Sequence, residues 1–262
     1  MTQPKTIVPL LTQQRPADVE GLAQAANLTY HNGPILTNVE VVLIFWGSAW
    51  DQPDQSGLIS QLNQFFDFIL ASPYIDLLGE YSVPGYTIGY GSRIGTFQIT
   101  DTEPGDGSGQ VIDTQIQDAL QTWIDDGAIP STTNNTLYFV YLPPDVVCVM
   151  SDGSQSCQVF CGYHNQINNS IFYAVEPFLT CDGCMFGQIF DSLTVVSSHE
   201  LCEAITDPAL DAWYDDSTGE EIGDICNTVI QQFGGYNIQA EWSNSANACL
   251  FQPANITQSL NS

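Results

Sequence analysis

Val39-Glu40-Val41-Val42-Leu43-Ile44-Phe45-Trp46 is apolar and rich in β-branched residues at all but one position, and Gly47 closes it. A strand with one wet face alternates polar and apolar side chains, whereas an unbroken apolar run suits a central strand covered on both faces. Helices are therefore needed above and below a sheet, and the surrounding chain supplies them. Apolar side chains recur at helical spacing over residues 58–78 (Leu58, Ile59, Leu62, Phe65, Phe66, Phe68, Ile69, Leu70), and residues 111–124 repeat the pattern with Ile112, Ile116, Ala119, Leu120 and Trp123 on one face. Further strands are expected at 86–90, which alternates, at 137–142 before Pro143-Pro144, and at 171–175. Strands alternating with helices predict a layered α/β domain, a mixed sheet with flanking helices. With 262 residues and no low-complexity linker, one domain is expected. It divides into a polar lead-in to about residue 33, an α/β core over 34–206, and an irregular, acidic, loop-rich part over 207–262.

Charge narrows the partners. Thirty Asp and Glu face only Lys5, Arg15 and Arg93, for a formal charge of −27. Phosphate is bound by Lys and Arg, so nucleic acid and anionic membrane surfaces are excluded as partners. No apolar stretch approaches the ~18 residues of a membrane span. So many carboxylates repel one another at neutral pH and suit an acidic exterior or bound divalent cations. Eight cysteines, all from Cys148 onward, point to disulfides stapling the second half in an oxidising compartment. Cys157-x3-Cys161 followed by Cys181-x2-Cys184 admits a four-thiolate zinc knuckle as the alternative. Sequons at Asn27, Asn134, Asn168 and Asn255 fit a secreted chain, while Met1 to Lys5 lacks the form of a usual signal peptide.

His199-Glu200-Leu201-Cys202-Glu203 carries the chemistry. On a helix, residues four apart stack on one face, so His199 and Glu203 point the same way and Glu200 projects about 100° aside. The zinc-hydrolase pattern H-E-x-x-H has two ligands at this spacing and a general-base Glu between them. Here the second ligand is a carboxylate, also a legitimate zinc donor. The apolar and small residues 192–198 form the preceding helical turns, and Asp207-Pro208 stops the helix. Strands followed by such a helix match zinc proteases of the zincin type. Glu200 is the expected general base, and Tyr214 and His164 are candidates to stabilise an oxyanion. Asp224 is favoured as third ligand because it follows Gly223 at a bend and precedes Cys226; Glu221 is close behind, with Asp207 and His164 as further options. Carboxylate ligands stay ionised to about pH 4, below the ~6.5 at which a free His protonates, which suits an acidic setting. Calcium is a possible second ion for the acidic segment 211–224, although its spacing is not that of an EF-hand.

Tyr30-His31-Asn32-Gly33-Pro34, Val41 to Gly47, Cys161-Gly162-Tyr163-His164 and Thr206-Asp207-Pro208 together resemble the EXORDIUM, or phosphate-induced, family. Its microbial members are similar further, through Ser198 to Pro208, Trp213-Tyr214 and Glu221-Ile222-Gly223-Asp224-Ile225-Cys226. The resemblance runs from about residue 30 to 250. It implies a secreted single-domain protein and, in the microbial branch, a zinc-dependent peptidase. Plant members lack the His-Glu pair and are treated as growth-related extracellular proteins. The expected function is thus a secreted, acid-adapted zinc metalloendopeptidase, a monomer acting on protein or peptide. The alternative is a non-catalytic extracellular protein of the same fold that binds cell-wall material or a partner and keeps a calcium or vestigial zinc site.

Overall fold

The computed structural model describes residues 26–254 and, as backbone alone, residues 7–9. Lys5, Arg15, the Asn255 sequon and most of the polar lead-in lie outside them. The strands are β1 (Ile7–Pro9), β2 (Leu28–Tyr30), β3 (Glu40–Trp46), β4 (Ser92–Ile99), β5 (Gln110–Ile112), β6 (Thr136–Tyr141) and β7 (Val147–Val149). They continue as β8 (Phe160–Ile167), β9 (Ile171–Glu176), β10 (Trp213–Asp215), β11 (Ile230–Phe233), β12 (Tyr236–Gln239), β13 (Glu241–Ser243) and β14 (Ala248–Leu250). The helices are α1 (Pro53–Ile69), α2 (Pro73–Leu77), α3 (Asp113–Asp125) and α4 (Ile189–Thr206).

The sheet has the order β1-β8-β9-β6-β3-β4. Strands β4, β3, β6 and β9 run parallel, while β8 returns antiparallel to β9 and β1 antiparallel to β8. The alternate side chains of β3 serve two cores. Val41, Leu43 and Phe45 join the layer of α1 and α4, and Val42, Ile44 and Trp46 join Ile116, Leu120 and Trp123 of α3. The unbroken apolar run is therefore a strand covered on both faces, within a mixed α/β architecture.

Several expected elements are redrawn. The helix over 58–78 is two helices: Pro73 cannot donate to a continuing helix and instead opens α2, whose N-cap Ser72 accepts from the Tyr74 N–H at 3.3 Å. Residues 86–90 form no sheet strand. Tyr86 bridges only Val83, Tyr90 is 49 % exposed, and the edge strand is β4, a stretch whose half-exposed side chains give no clear pattern. Ile112 lies off the buried face of α3, 47 % exposed at the end of β5. Strand β8 was not expected at all, because its second half, Asn165-Gln166-Ile167, is polar. The acidic part beyond Asp207 contains two short antiparallel pairs, β11 with β12 and β13 with β14, and a strand, β10, that pairs antiparallel with β2.

Helix α4 is buried on every side from Ser192 to Thr206, between β8 and β9 of the sheet and β12. Asp191 accepts from the Gln188 N–H at 3.0 Å and places negative charge at the positive end of the helix. Its buried hydroxyls are all satisfied: Ser198 donates to Val195 O at 2.8 Å, Thr206 to Cys202 O at 2.9 Å, and Ser197 pairs with the Tyr141 hydroxyl at 2.8 Å. Gly162 of β8 sets the helix-to-sheet distance, since a Cβ there would come within 2.5 Å of Val196 Cγ1.

Candidate metal centre

One face of α4 carries His199 and Glu203, and its flank carries Glu200. Strand β8 brings His164 from the sheet, the loop before β11 brings Glu221 and Asp224, and β12 brings Gln239. His164, His199, Glu200, Glu203 and Glu221 have no solvent exposure, whereas Asp224 keeps a part of its own. Gly223 allows the loop to lie flat on the His199 ring: a Cβ there would sit 2.7 Å from Nδ1.

The helical pair is as the spacing requires, with His199 Nε2 2.9 Å from Glu203 Oε1. That contact is too poorly aligned to be a hydrogen bond, so Nε2 has no hydrogen-bond partner. Glu203 Oε1 accepts instead from the Asp224 N–H at 3.1 Å. His164 Nδ1 lies 3.2 Å from Glu200 Oε2 and 3.5 Å from Glu203 Oε2, and its Nε2 is 3.6 Å from Glu221 Oε1. His164 Nε2, Glu200 Oε1, Glu203 Oε2 and both Glu221 oxygens also lack hydrogen-bond partners. Each orphaned buried polar atom costs roughly 1–3 kcal/mol, more when charged. A divalent cation would satisfy them, and imidazole nitrogen with carboxylate oxygen is a zinc-type donor set. Ligand atoms of His199, Glu203 and Asp224 all lie within 4.8 Å of one another, as do those of His164, Glu203 and Glu221. The residues fit a metal.

Without a cation the cluster must share protons. Burial would push both imidazoles down, but the hydrogen bond to Glu200 and the nearby Glu203 carboxylate lift His164 to about 10, and the Glu203 charge lifts His199 well above its ordinary value. Burial would raise Glu203, yet the charge of His199 and the close approach of both imidazoles hold it down. Burial raises Glu200 and, with the charges of Glu203 and Asp207 added, raises Glu221 well above the usual carboxylate range. Gln239 Nε2 donates to Gly223 O at 2.9 Å and lies 2.8 Å from His199 Nδ1. Ligation through Nε2, or full protonation, puts a proton on Nδ1 and requires that amide to turn and offer its oxygen.

Tyr214 is not brought into the cluster: its ring stacks on His31 at 3.9 Å, and it makes no hydrogen bond to any member. Asp207 ends the helix, its Oδ1 accepting from the N–H groups of Asp211 at 2.7 Å and Ala212 at 2.6 Å. In the acidic segment, Asp215 is held by the N–H groups of Asn27, Ser217 and Thr218. Sequence reasoning missed Gln239, and also Glu176 and Glu241, two buried carboxyls that burial raises well above their usual range. Each stands in a short strand without a motif. The one signal available was Glu176, a carboxylate at the end of the otherwise apolar strand β9.

Three disulfides lie among the described residues: Cys157–Cys181, Cys161–Cys184 and Cys226–Cys249. The zinc knuckle is therefore replaced by two crosslinks, whose sulfurs are no longer thiolates. Cys226–Cys249 anchors the turn that carries Asp224. Cys148 and Cys202 are free and buried. Disulfides fit an extracellular protein. No helix among the described residues is long and apolar enough to cross a membrane.

No protein-family model and no solved structure matches the chain. Among curated proteins it is 25 % identical to Protein EXORDIUM-like 5 of Arabidopsis thaliana over 254 residues, covering 82 % of the chain and 68 % of the relative. It is 27 % identical to Protein EXORDIUM-like 3 of the same plant over 256 residues, covering 82 % of the chain and 73 % of the relative. These matches agree with the resemblance seen in the Tyr30-to-Cys226 motifs and support the EXORDIUM family, to whose plant members the chain is similar over most of its length.

Proposed function

We propose that the chain is an extracellular zinc-dependent hydrolase of peptide bonds, built on a zincin-like helix. His199, Glu203 and Asp224 hold the metal and Glu200 is the general base. The observation that carries this reading is the convergence of those three ligand atoms within 4.8 Å, with His199 Nε2 buried and without a hydrogen-bond partner. Zinc bound there would polarise a carbonyl and acidify a water. Glu200 contributes the proton transfer. Its Oε2 is tied to His164, which fixes the side chain, and its Oε1 is left without a partner to accept a proton. Burial raises its pKa, which makes the carboxylate a stronger base and suits its acid form to donate to the leaving amine.

A second reading, a non-catalytic protein whose cation only braces the fold, is favoured by the closure of the cluster. Two open clefts lie elsewhere. One of about 490 Å³ is lined by Thr37, Tyr86, Asn134 and Asn169, and one of about 370 Å³ by Asp76, Glu80 and Ser245. Metal content and peptidase assays between pH 3 and 7 separate the two. The hydrolase reading expects one zinc or more, and a Glu200→Gln variant that keeps zinc but loses about 10²–10⁴-fold in turnover. Zinc without cleavage of any peptide leaves the structural reading. A protein that binds calcium but no zinc defeats the hydrolase reading, and one that binds no divalent cation defeats both.

A further inference from the structure

We infer that the cluster holds two divalent cations bridged by Glu203, rather than one. The inference rests on the metal-centre reading above and extends it to the residues that a single zinc leaves unused.

The donors fall into two groups that share one member: His199, Glu203 and Asp224 on one side, His164, Glu203 and Glu221 on the other. Glu203 turns one oxygen to each group. Its Oε1 is 2.9 Å from His199 Nε2, and its Oε2, which has no hydrogen-bond partner, lies on the His164 side, 3.5 Å from Nδ1, with ligand atoms of His164, Glu203 and Glu221 within 4.8 Å of one another. A carboxylate presented in this way is a bridging ligand. On the second side, His164 Nε2 and both oxygens of Glu221 are wholly buried and have no hydrogen-bond partner. A metal on Nε2 leaves Nδ1–H to donate to Glu200 at 3.2 Å, an orientation in which a carboxylate steers a metal-bound imidazole.

Charge decides between one ion and two. Glu200, Glu203, Glu221 and Asp224 carry four negative charges when ionised, and two imidazoles acting as ligands are neutral. One divalent cation leaves half of that charge uncompensated away from water, and two leave none. No described cationic side chain fills the deficit, since Arg93 is engaged with Asp67 at 2.8 Å. Nitrogen and carboxylate donors suit zinc, manganese or cobalt, and paired sites of this kind hold ions about 3.5–4 Å apart.

The test is metal content of the full chain, stripped with chelator, reloaded with zinc and dialysed, alongside calorimetric titration with zinc. Two equivalents are expected in the parent. Glu221→Gln, which keeps side-chain volume, and His164→Ala should each keep one, His199→Ala should keep the other, and Glu203→Gln should lose both. Near-ultraviolet circular dichroism confirms that each variant is folded. A parent that saturates at one equivalent, unchanged in Glu221→Gln and His164→Ala, overturns the second site while the single-metal reading stands. A second equivalent that survives both Glu221→Gln and Glu203→Gln is an ion on the acidic surface and overturns it as well. No bound zinc overturns both readings together.

Discussion

Gly223→Ala is the sharpest perturbation of the centre, because it alters no ligand and adds a single methyl group. A Cβ at this position would sit 2.7 Å from His199 Nδ1, 2.8 Å from Cε1 and 2.9 Å from Cγ. Ordinary contact begins near 3.4 Å, so the ring or the loop must shift by about 0.5–0.7 Å. Backbone strain is not involved, since φ is −80° at Gly223 and suits alanine. The ring cannot retreat easily, held by Gln239 on one nitrogen and Glu203 on the other. Asp224 follows in the chain, so moving the loop also moves that ligand. Overpacking of this size costs about 1–3 kcal/mol in the metal-free protein. A misplaced ligand set should lose about 10- to 100-fold in zinc affinity. In urea unfolding followed by tryptophan fluorescence, that loss removes about 1.4–2.7 kcal/mol from the stabilisation seen with excess zinc. Gly57→Ala is the control, a helical glycine with nothing near its Cβ position, and should raise stability by up to about 1 kcal/mol. The reasoning fails if Gly223→Ala matches the parent in both metal-free stability and zinc-induced shift.

Burial raises Asp207 from 3.8 to about 7, so the folded state binds this proton more tightly than the unfolded chain does. The stabilisation is complete below about pH 4 and lost as pH rises through 7, at most about 4 kcal/mol. Metal-free protein should therefore show a higher urea midpoint at pH 4.5 than at pH 8, and Asp207→Asn should flatten that difference. Glu203 works the other way: its folded pKa of about 2 adds stability above its unfolded pKa of 4.5 that is lost as pH falls towards 2. The optimum without metal should then lie near pH 4–5, whereas zinc, which competes with protons for its ligands, should bind more weakly in acid; titrations at pH 5 and 7 compare the two. Replacing Cys226 and Cys249 by Ser opens a crosslink of sequence separation 23, worth about 3 kcal/mol, and should weaken zinc binding by loosening the turn at Asp224, read by thermal unfolding with and without zinc.

What could be read directly from the chain is what depends on near neighbours. The double-faced burial of β3 follows from its run of apolar residues, and the shared face of His199 and Glu203 from their spacing of four, because both periods belong to the backbone itself. The break at Pro73 and the start of β4 were misplaced for a local reason too: the proline opens a new helix, and an edge strand with half-exposed side chains shows no period. The composition of the centre needed more. His164 enters on an antiparallel strand whose partners are set by pairing across the sheet, and Gln239 on a strand that packs over α4. Asp224 and Glu221 were placed near the helix from sequence, but which side of Glu203 each occupies depends on the turn that Gly223 lets down onto the imidazole and Cys226–Cys249 anchors. Local spacing determined three members of the centre, His199, Glu200 and Glu203. The rest come from segments far apart in sequence, and only the packing of sheet, helix and crosslinked loop brings their charges together away from water.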